Sequence, residues 1–493
     1  MQPPDHYTSN TQQIGQAVRD IEDPVWQLEL AALRANQSCE ANPRSRGWIA
    51  YGLQALASVA AWGILVILVV RYGGTPPRRA RRSLASASTV YALHAEDTTR
   101  TRHLRSALEK VAGPDPSLSS NVILLLGRPA ANMANSRLRM APNGLLDRTR
   151  TMRPISAGCC FMSLCDAIGK LHSGCVETSR YHGSITFRDR IAMAYRVAQG
   201  CAHARWWFVA GLACATKRAF FGHTGTADTT LLELAMQRQG IQTVHVVHGT
   251  NIGWPFAGLS DIAIYPTGAD ARFGASLPAY GRCTHIPFAR PAVSPGDGRW
   301  ALLTSYTHLQ HPAYNSLGSA LDREIVRLVR RAADELAIEP QKIYWRPHPQ
   351  IALVKQEQRT ALELTVNEAG FLNWPDDWDY DRIGSFSVVI TTPSTVLTDA
   401  LRMGQPAIVA SHTSLQEDLV YNAHPLLVDT RQSLLAPAIR SILDSTSRAS
   451  IFRAAWDAIE PGAPITLAGL NATVEQSSHQ RARQHLFGDR QSG

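Results

Sequence analysis

Lys342-Ile343-Tyr344-Trp345-Arg346-Pro347-His348-Pro349 and Ser387-Val388-Val389-Ile390-Thr391-Thr392-Pro393-Ser394-Thr395-Val396-Leu397-Thr398-Asp399-Ala400-Leu401 are built alike. In each, a short β-branched or aromatic run stops at polar residues and proline. In the second, a helical pattern starts at once. Strands that alternate with helices predict a parallel sheet. The amides and hydroxyls at such a helix start favour an anion. Arg346 and His348 would add positive charge at the neighbouring strand end. The pair of stretches predicts a phosphate-holding sheet edge, hence a nucleotide-activated donor and a transferase.

The same alternation extends outward. Trp300-Ala301-Leu302-Leu303-Thr304 reads as a strand ending at Ser305, Ser319 to Leu336 as an amphipathic helix, and Gln405 to Ala410 as a further strand. Helices are predicted over Leu434 to Leu443 and Ala449 to Ile459. An earlier block starts near Ser88. Val90 to Leu93, Asn121 to Leu126, Ala219 to Gly222 and Ile241 to Val247 read as strands. Thr101 to Val111, Ile191 to Ala215 and Asp228 to Gln239 read as helices, the last closed by Gly240. Residues 130–185 give no regular pattern. The Pro/Gly-rich stretch from Pro287 to Gly298 reads as a hinge between the two blocks. The expected fold is α/β, with two Rossmann-like domains facing a cleft in which ligands meet the C-terminal strand edges.

A chain of 493 residues is long enough for two or three domains. Charged residues make up 18% and the net charge is +9. Part of that excess is one cluster, Arg71, Arg78, Arg79, Arg81 and Arg82. It follows Trp48 to Val70, a run of 23 residues without a charge. As a helix that run is roughly 34 Å long, enough to cross a hydrocarbon core. Trp48, Tyr51 and Tyr72 sit near its ends, as interfacial aromatics do. The run starts too late and is too long for a cleaved signal peptide. The arginines that follow place the C-terminal bulk in the cytoplasm, behind a single-pass anchor. They read as a topology signal that also suits anionic lipid, and no nucleic-acid partner is expected.

The expected organisation is a polar tail over 1–47, a transmembrane helix over 48–70 and a basic linker over 71–88. An acceptor domain over 89–290 and a donor domain over 299–480 follow, then a tail over 481–493. Within the tail, Gln13 to Arg34 carries helical spacing broken at Asp23-Pro24. Of the eight cysteines, six fall between 159 and 214. Their spacing lacks paired C-x2-C, so reduced thiols are expected rather than zinc.

His248-Gly249-Thr250 ends a strand of the first domain. Gly249 allows a sharp turn or close ligand approach. A histidine there titrates near neutrality, as a general base must. His248 is therefore the candidate catalytic base. His223, on a neighbouring strand-end loop, is a further pocket candidate, and alternation puts His245 on the opposite sheet face. The donor phosphate falls to Arg346, His348, Thr392, Ser394 and Thr395. Four hydroxyl residues in five positions exceed what a helix cap needs. Gly249, Thr250, Ser305, Glu417 and Asp418 are further pocket candidates, the acidic pair for donor hydroxyls. Asp376-Asp377-Trp378-Asp379-Tyr380-Asp381 offers two D-x-D matches, but short acidic matches are common. No metal and no cofactor are expected, the activated donor being a substrate.

Three features together resemble a known pattern. They are His248-Gly249-Thr250, Arg346-Pro347-His348-Pro349, and the Ser/Thr-rich turn running into Leu397-Thr398-Asp399-Ala400-Leu401-Arg402-Met403-Gly404-Gln405-Pro406. The chain resembles GT-B glycosyltransferases. It is most similar to the group holding bacterial CDP-glycerol glycerophosphotransferases, sialyl- and polysialyltransferases and capsule polysaccharide synthases. The likeness spans about residues 219–420. It implies that His348, Ser394 and Thr395 hold the donor phosphate, that His248 is the base and that metal is dispensable. Two departures leave the acceptor open. Sialyltransferases of this type tend to carry an acidic pair before the glycine, where this chain has Val247-His248-Gly249. The run Asn251-Ile252-Gly253-Trp254-Pro255 also departs from the glycerophosphotransferases.

The expected function is a membrane-anchored glycosyl- or polyol-phosphate transferase. It would build a bacterial surface polysaccharide from a nucleotide-linked donor on a lipid-linked or polymeric glycan acceptor. A nucleotide-sugar epimerase or hydrolase on the same scaffold is the alternative within enzymes. A non-catalytic glycan-assembly subunit is the alternative outside them.

Overall fold

The computed structural model describes residues 18–35, 47–94, 102–109, 121–127, 150–181, 185–211, 214–248, 259–276, 281–305, 318–348, 351, 354–411, 424–430 and 435–476. Two parallel sheets organise them. The first has seven strands, β1 (Thr89–His94), β2 (Asn121–Leu126), β3 (Arg150–Met152), β4 (Arg218–Phe221), β5 (Gln242–Val246), β6 (Ile262–Tyr265) and β7 (Arg282–His285). Their order is β3-β2-β1-β4-β5-β6-β7. The second has six, β8 (Trp300–Thr304), β9 (Ile343–Pro347), β10 (Leu372–Asn373), β11 (Val388–Thr391), β12 (Ala407–Ser411) and β13 (Leu427–Asp429). Their order is β10-β9-β8-β11-β12-β13.

Parallel strands covered by helices on both faces read as unbroken apolar runs. That is why Val122-Ile123-Leu124, Val388-Val389-Ile390 and Ala407-Ile408-Val409 are buried throughout. Each sheet grows outward from one strand, then restarts on its other side. The order therefore reverses between β1 and β4, and again between β8 and β11. Crevices at such reversals are where open α/β sheets take ligands. Two facing sheets of this kind are the GT-B arrangement.

Three readings of the sequence change here. The stretch from 130 to 185 is not irregular where it is described. It forms β3 and two helices, Ala157–Met162 and Leu164–Arg180, the first capped by Ser156 Oγ accepting from the Cys159 amide at 3.3 Å. Gly158, Gly169 and Gly174 obscured them. At Gly174 a Cβ would lie 2.0 Å from the Trp26 ring, so the glycine marks a packing contact and not a break.

The supposed polar tail is, over residues 18–35, part of the first domain's core. Val18, Ile21, Val25, Trp26 and Leu28 are buried. Asp23 Oδ1 accepts from the Val25 amide at 3.0 Å and opens the helix Pro24–Ala35, as the Asp-Pro pair predicts.

The C-terminal end leaves the second domain. Leu470 and Val474 are buried with Tyr91, Phe220 and Val244 of the first sheet's core. The chain therefore crosses between domains twice, near Ile286 to Gly298 and again near Glu460 to Pro464. The Gly462 amide donates to Pro266 O at 2.8 Å and the Ala463 amide to Ile286 O at 2.7 Å, binding the crossings together.

The apolar run forms one helix, Gly47–Tyr72, long and apolar enough to cross a membrane, with part of its length buried inside the protein. The basic linker contains a further helix, Pro77–Leu84.

Candidate active site

The cleft lies between the two sheet edges and has a volume of about 590 Å³. His103, Ser106, Val247 and His248 line it from the first domain. Ser305, Arg346, His348, Ser394, Thr395 and Arg402 line it from the second.

The second-domain wall is made at the order reversal. Register sets Leu303 against Arg346 and Thr304 against Pro347, so β8 and β9 end level. The His348 amide donates to Thr304 O at 3.0 Å and carries that pairing one residue past the strand. On the other side of β8, β11 ends at Thr391. Ser305 Oγ and Thr392 Oγ1 lie 2.5 Å apart and bridge the two strand ends. Thr392 is fully buried and lies behind Ser305 rather than on the cleft wall.

The turn after β11 is locally determined. Ser394 Oγ accepts from the Val396 amide at 3.3 Å and lies 3.1 Å from Thr391 Oγ1. The helix that follows, Val396–Arg402, has seven residues and begins at Thr395, whose own side chain makes no cap bond. So short a helix offers an anion mainly its first amides and the hydroxyls beside them, the macrodipole adding little.

Alternation along β9 turns Trp345 into the core, where its Nε1 donates to Thr304 Oγ1 at 3.1 Å. Arg346 then faces the other way. Its guanidinium lies 4.7 Å from the Tyr380 ring centroid and 5.3 Å from that of Trp374. Tyr380 Oη donates to Asp399 Oδ2 at 3.2 Å, and Arg402 Nη1 donates to Asp399 Oδ1 at 2.9 Å. Arg402 also reaches the first domain. Its Nε donates to Gly462 O at 2.5 Å and its Nη2 to Pro266 O at 3.4 Å. Desolvation lowers its pKa, with Asp399 opposing that.

On the first-domain wall, His248 follows the end of β5, and its ring centroid is 5.0 Å from that of His103 on the helix Arg102–Glu109. His245 sits apart from the cleft. Thr224 Oγ1 lies 3.3 Å from its Nδ1, and desolvation lowers its pKa to about 4. His223 lies 3.3 Å from Thr226 Oγ1 and is not on the cleft wall.

The cleft thus brings together His248, Arg346, His348, Ser394, Thr395 and Ser305. It leaves Thr392 behind the wall and His223 beside it. Gly249, Thr250, Glu417 and Asp418 lie outside the described residues. Of the acidic run, Asp381 lines the cleft. Among the described residues no group of three or more His, Cys, Asp or Glu is placed to hold a metal. Cys159, Cys160, Cys175 and Cys201 are buried free thiols, and desolvation raises Cys160 to about 11 and Cys201 to about 12.

Sequence reasoning did not assign His103, Ser106, Tyr380 or Arg402 to the site. His103 and Ser106 share a helix face at i, i+3, and Asp399 and Arg402 repeat that spacing. Either pattern serves equally on a solvated surface.

No family model matches the chain, and no curated protein does. Solved structures do. A trehalose 6-phosphate synthase from Burkholderia multivorans is 11% identical, covering 82% of this chain and 98% of its own at a TM-score of 0.44. The trehalose-6-phosphate structure from E. coli with UDP-2-fluoro glucose is 10% identical, covering 75% and 94% at 0.40. The MnaA–UDP co-structure from S. aureus is 13% identical, covering 80% and 97% at 0.38. With two parallel sheets and a cleft at their order reversals, the chain has the GT-B fold.

Proposed function

We propose that the protein is a glycosyltransferase-type enzyme that moves a sugar or polyol phosphate from a nucleotide-activated donor to a glycan acceptor at a membrane. One observation carries this reading. His248 from one domain and Arg346, His348, Ser305, Ser394 and Thr395 from the other line a single cleft.

In this reading the donor's phosphate lies against Arg346, His348 and the Ser394-Thr395 turn. Ser305, held by Thr392, adds a hydroxyl at the strand end. These groups are fixed before the reaction and offset the charge that grows on the leaving phosphate. Arg346 resting on two rings loses little freedom when it meets the phosphate. His248 accepts the acceptor hydroxyl's proton as its oxygen forms the new bond and the donor phosphate departs. A single displacement of this kind inverts the reacting centre.

Surface-glycan assembly is the role that suits such a transferase on the cytoplasmic side of a bacterial inner membrane, with a lipid-linked or polymeric acceptor. The test is turnover of CMP-, CDP-, UDP- and GDP-linked donors with and without glycan acceptors. Nucleotide release only with acceptor supports transfer. Release without acceptor supports the hydrolase reading, and the absence of donor binding across the panel sinks both.

A further inference from the structure

The helix Gly47–Tyr72 divides along its length into two faces. Ala50, Gln54, Ala57, Ala61, Leu65 and Val69 are buried against the first domain. Leu53, Leu56, Val59, Ile64, Ile67 and Val70 recur on the other side at three- to five-residue intervals and are 38–72% exposed. Mostly small residues face the protein and large branched ones face outward. A helix bordering water has the opposite pattern.

The docked position is held by specific contacts. Buried Arg190 donates through Nη1 to Ala50 O at 3.2 Å and to Gln54 Oε1 at 3.4 Å. Tyr51 Oη lies 2.8 Å from His172 Nδ1. Just beyond the helix, Trp206 Nε1 donates to Thr75 O at 2.6 Å. The neighbouring helices Leu164–Arg180 and Phe187–Ala210 carry Asp166, Lys170, Glu177, Arg188 and Asp189. If the docked helix crossed a bilayer, those charges would follow it into hydrocarbon, which excludes them.

The outward face continues past the helix. Phe161, Met162 and Ile168 are exposed on the segments packed beside it, Ile168 one turn from His172. Next to this apolar surface stands a cationic one. Arg78, Arg79, Arg81 and Arg82 are exposed on Pro77–Leu84. Arg81 Nη2 donates to Val209 O at 2.8 Å, beside exposed Phe208. An apolar face flanked by arginines matches an anionic lipid surface in both layers, acyl chain and headgroup.

We infer that helix Gly47–Tyr72 lies in the plane of the membrane with the domain attached, and that anionic lipid is its partner. This rests on the membrane part of the proposed function and replaces the single-pass orientation with an in-plane one.

The test uses the full chain with distinguishable tags at its two ends. Cosedimentation compares phosphatidylglycerol-containing vesicles with pure phosphatidylcholine. Protease is then added to inverted membrane vesicles from producing cells. The expected result is selective binding to anionic vesicles, with both tags cut. Leu56→Glu with Ile67→Glu should weaken binding by about tenfold or more, and Arg78→Glu with Arg79→Glu by a similar factor, with thermal melts unchanged. An N-terminal tag protected while the C-terminal tag is cut shows a span. That overturns the inference and leaves the membrane reading standing. Binding to neither lipid overturns both. Turnover of soluble substrates would survive that result, which keeps the transferase reading separate.

Discussion

The His103 and His248 rings stand 5.0 Å apart, their planes inclined at 53°, on the first-domain wall of the cleft. One comes from a helix and the other from a strand end, so the pair ties the candidate base to the scaffold. His248→Ala is expected to lower kcat by about 10²–10⁴, the usual worth of a general base, with donor KM little changed. His103→Phe keeps a ring against His248 and should cost much less than His103→Ala. The pH profile of kcat separates the roles. Loss of its acid limb in His248→Ala, and only a shifted limb in the His103 variants, is the expected pattern. Equal and small effects at both positions would place the base elsewhere.

Arg346 is held by the Tyr380 and Trp374 rings, so its placement can be tested through the guanidinium and through a ring. Arg346→Lys keeps the charge and loses the planar stack, and should weaken donor binding by about tenfold. Tyr380→Leu removes the ring 4.7 Å from the guanidinium and should reproduce part of that loss, since such a contact is worth roughly 0.5–2 kcal/mol. Calorimetry with the donor that turns over measures both. A Tyr380→Leu enzyme with unaltered affinity would show that the stack does not position Arg346.

The second domain was readable because its strands are covered on both faces. Ile343, Trp345 and Val388 to Ile390 carry the signal in their own composition. The same clarity located Arg346, His348 and Ser394 at strand ends. What could not be read depends on contacts far apart in sequence. Gly174 looks like a break until Trp26 packs on it. Leu470 and Val474 look like part of the second domain until they close over Tyr91. His103 looks like any helix-surface histidine until β5 brings His248 to it. The apolar run over 48–70 gives length and hydrophobicity, but not which side of the helix the protein covers. That side depends on Arg190, 140 residues from Ala50.

Glu29 links the N-terminal helix to the first domain. Its buried carboxylate accepts from Arg196 Nε at 2.9 and 3.0 Å and from the Ala227 amide at 2.6 Å, at the start of the helix Ala227–Gln237. Glu29→Ala leaves Arg196 without its buried partner and that amide without its acceptor. Complete burial of both ions would make the loss roughly 3–5 kcal/mol, but the Arg196 side chain is 32% exposed, so about 2–3 kcal/mol is expected. Deleting residues 1–35 should destabilise at least as much, since Val25, Trp26 and Leu28 leave with it. Chemical denaturation of the three proteins checks this. A deletion that melts like the full chain would mean that the segment does not dock in solution.

Glu233 gives the first domain a pH-dependent stability. It is fully buried on the helix Ala227–Gln237. Desolvation raises its pKa from an ordinary 4.5 to about 8, the Ser260 hydroxyl opposing the rise and Asp261 adding to it. The folded protein therefore holds a proton that the unfolded chain releases above about pH 4.5. Its contribution is fully present below that pH and is lost as pH rises through about 8. In that window the loss approaches ~1.4 kcal/mol per pH unit for one group. Glu233→Gln keeps a neutral hydrogen-bonding side chain of similar size. It should therefore lose less stability than the native protein between pH 5 and about 8. Parallel melting curves for the two proteins should converge at acid pH and diverge upward from it, with the variant the more stable at pH 8. Curves that stay parallel across the range would show that Glu233 is ionised in the folded protein.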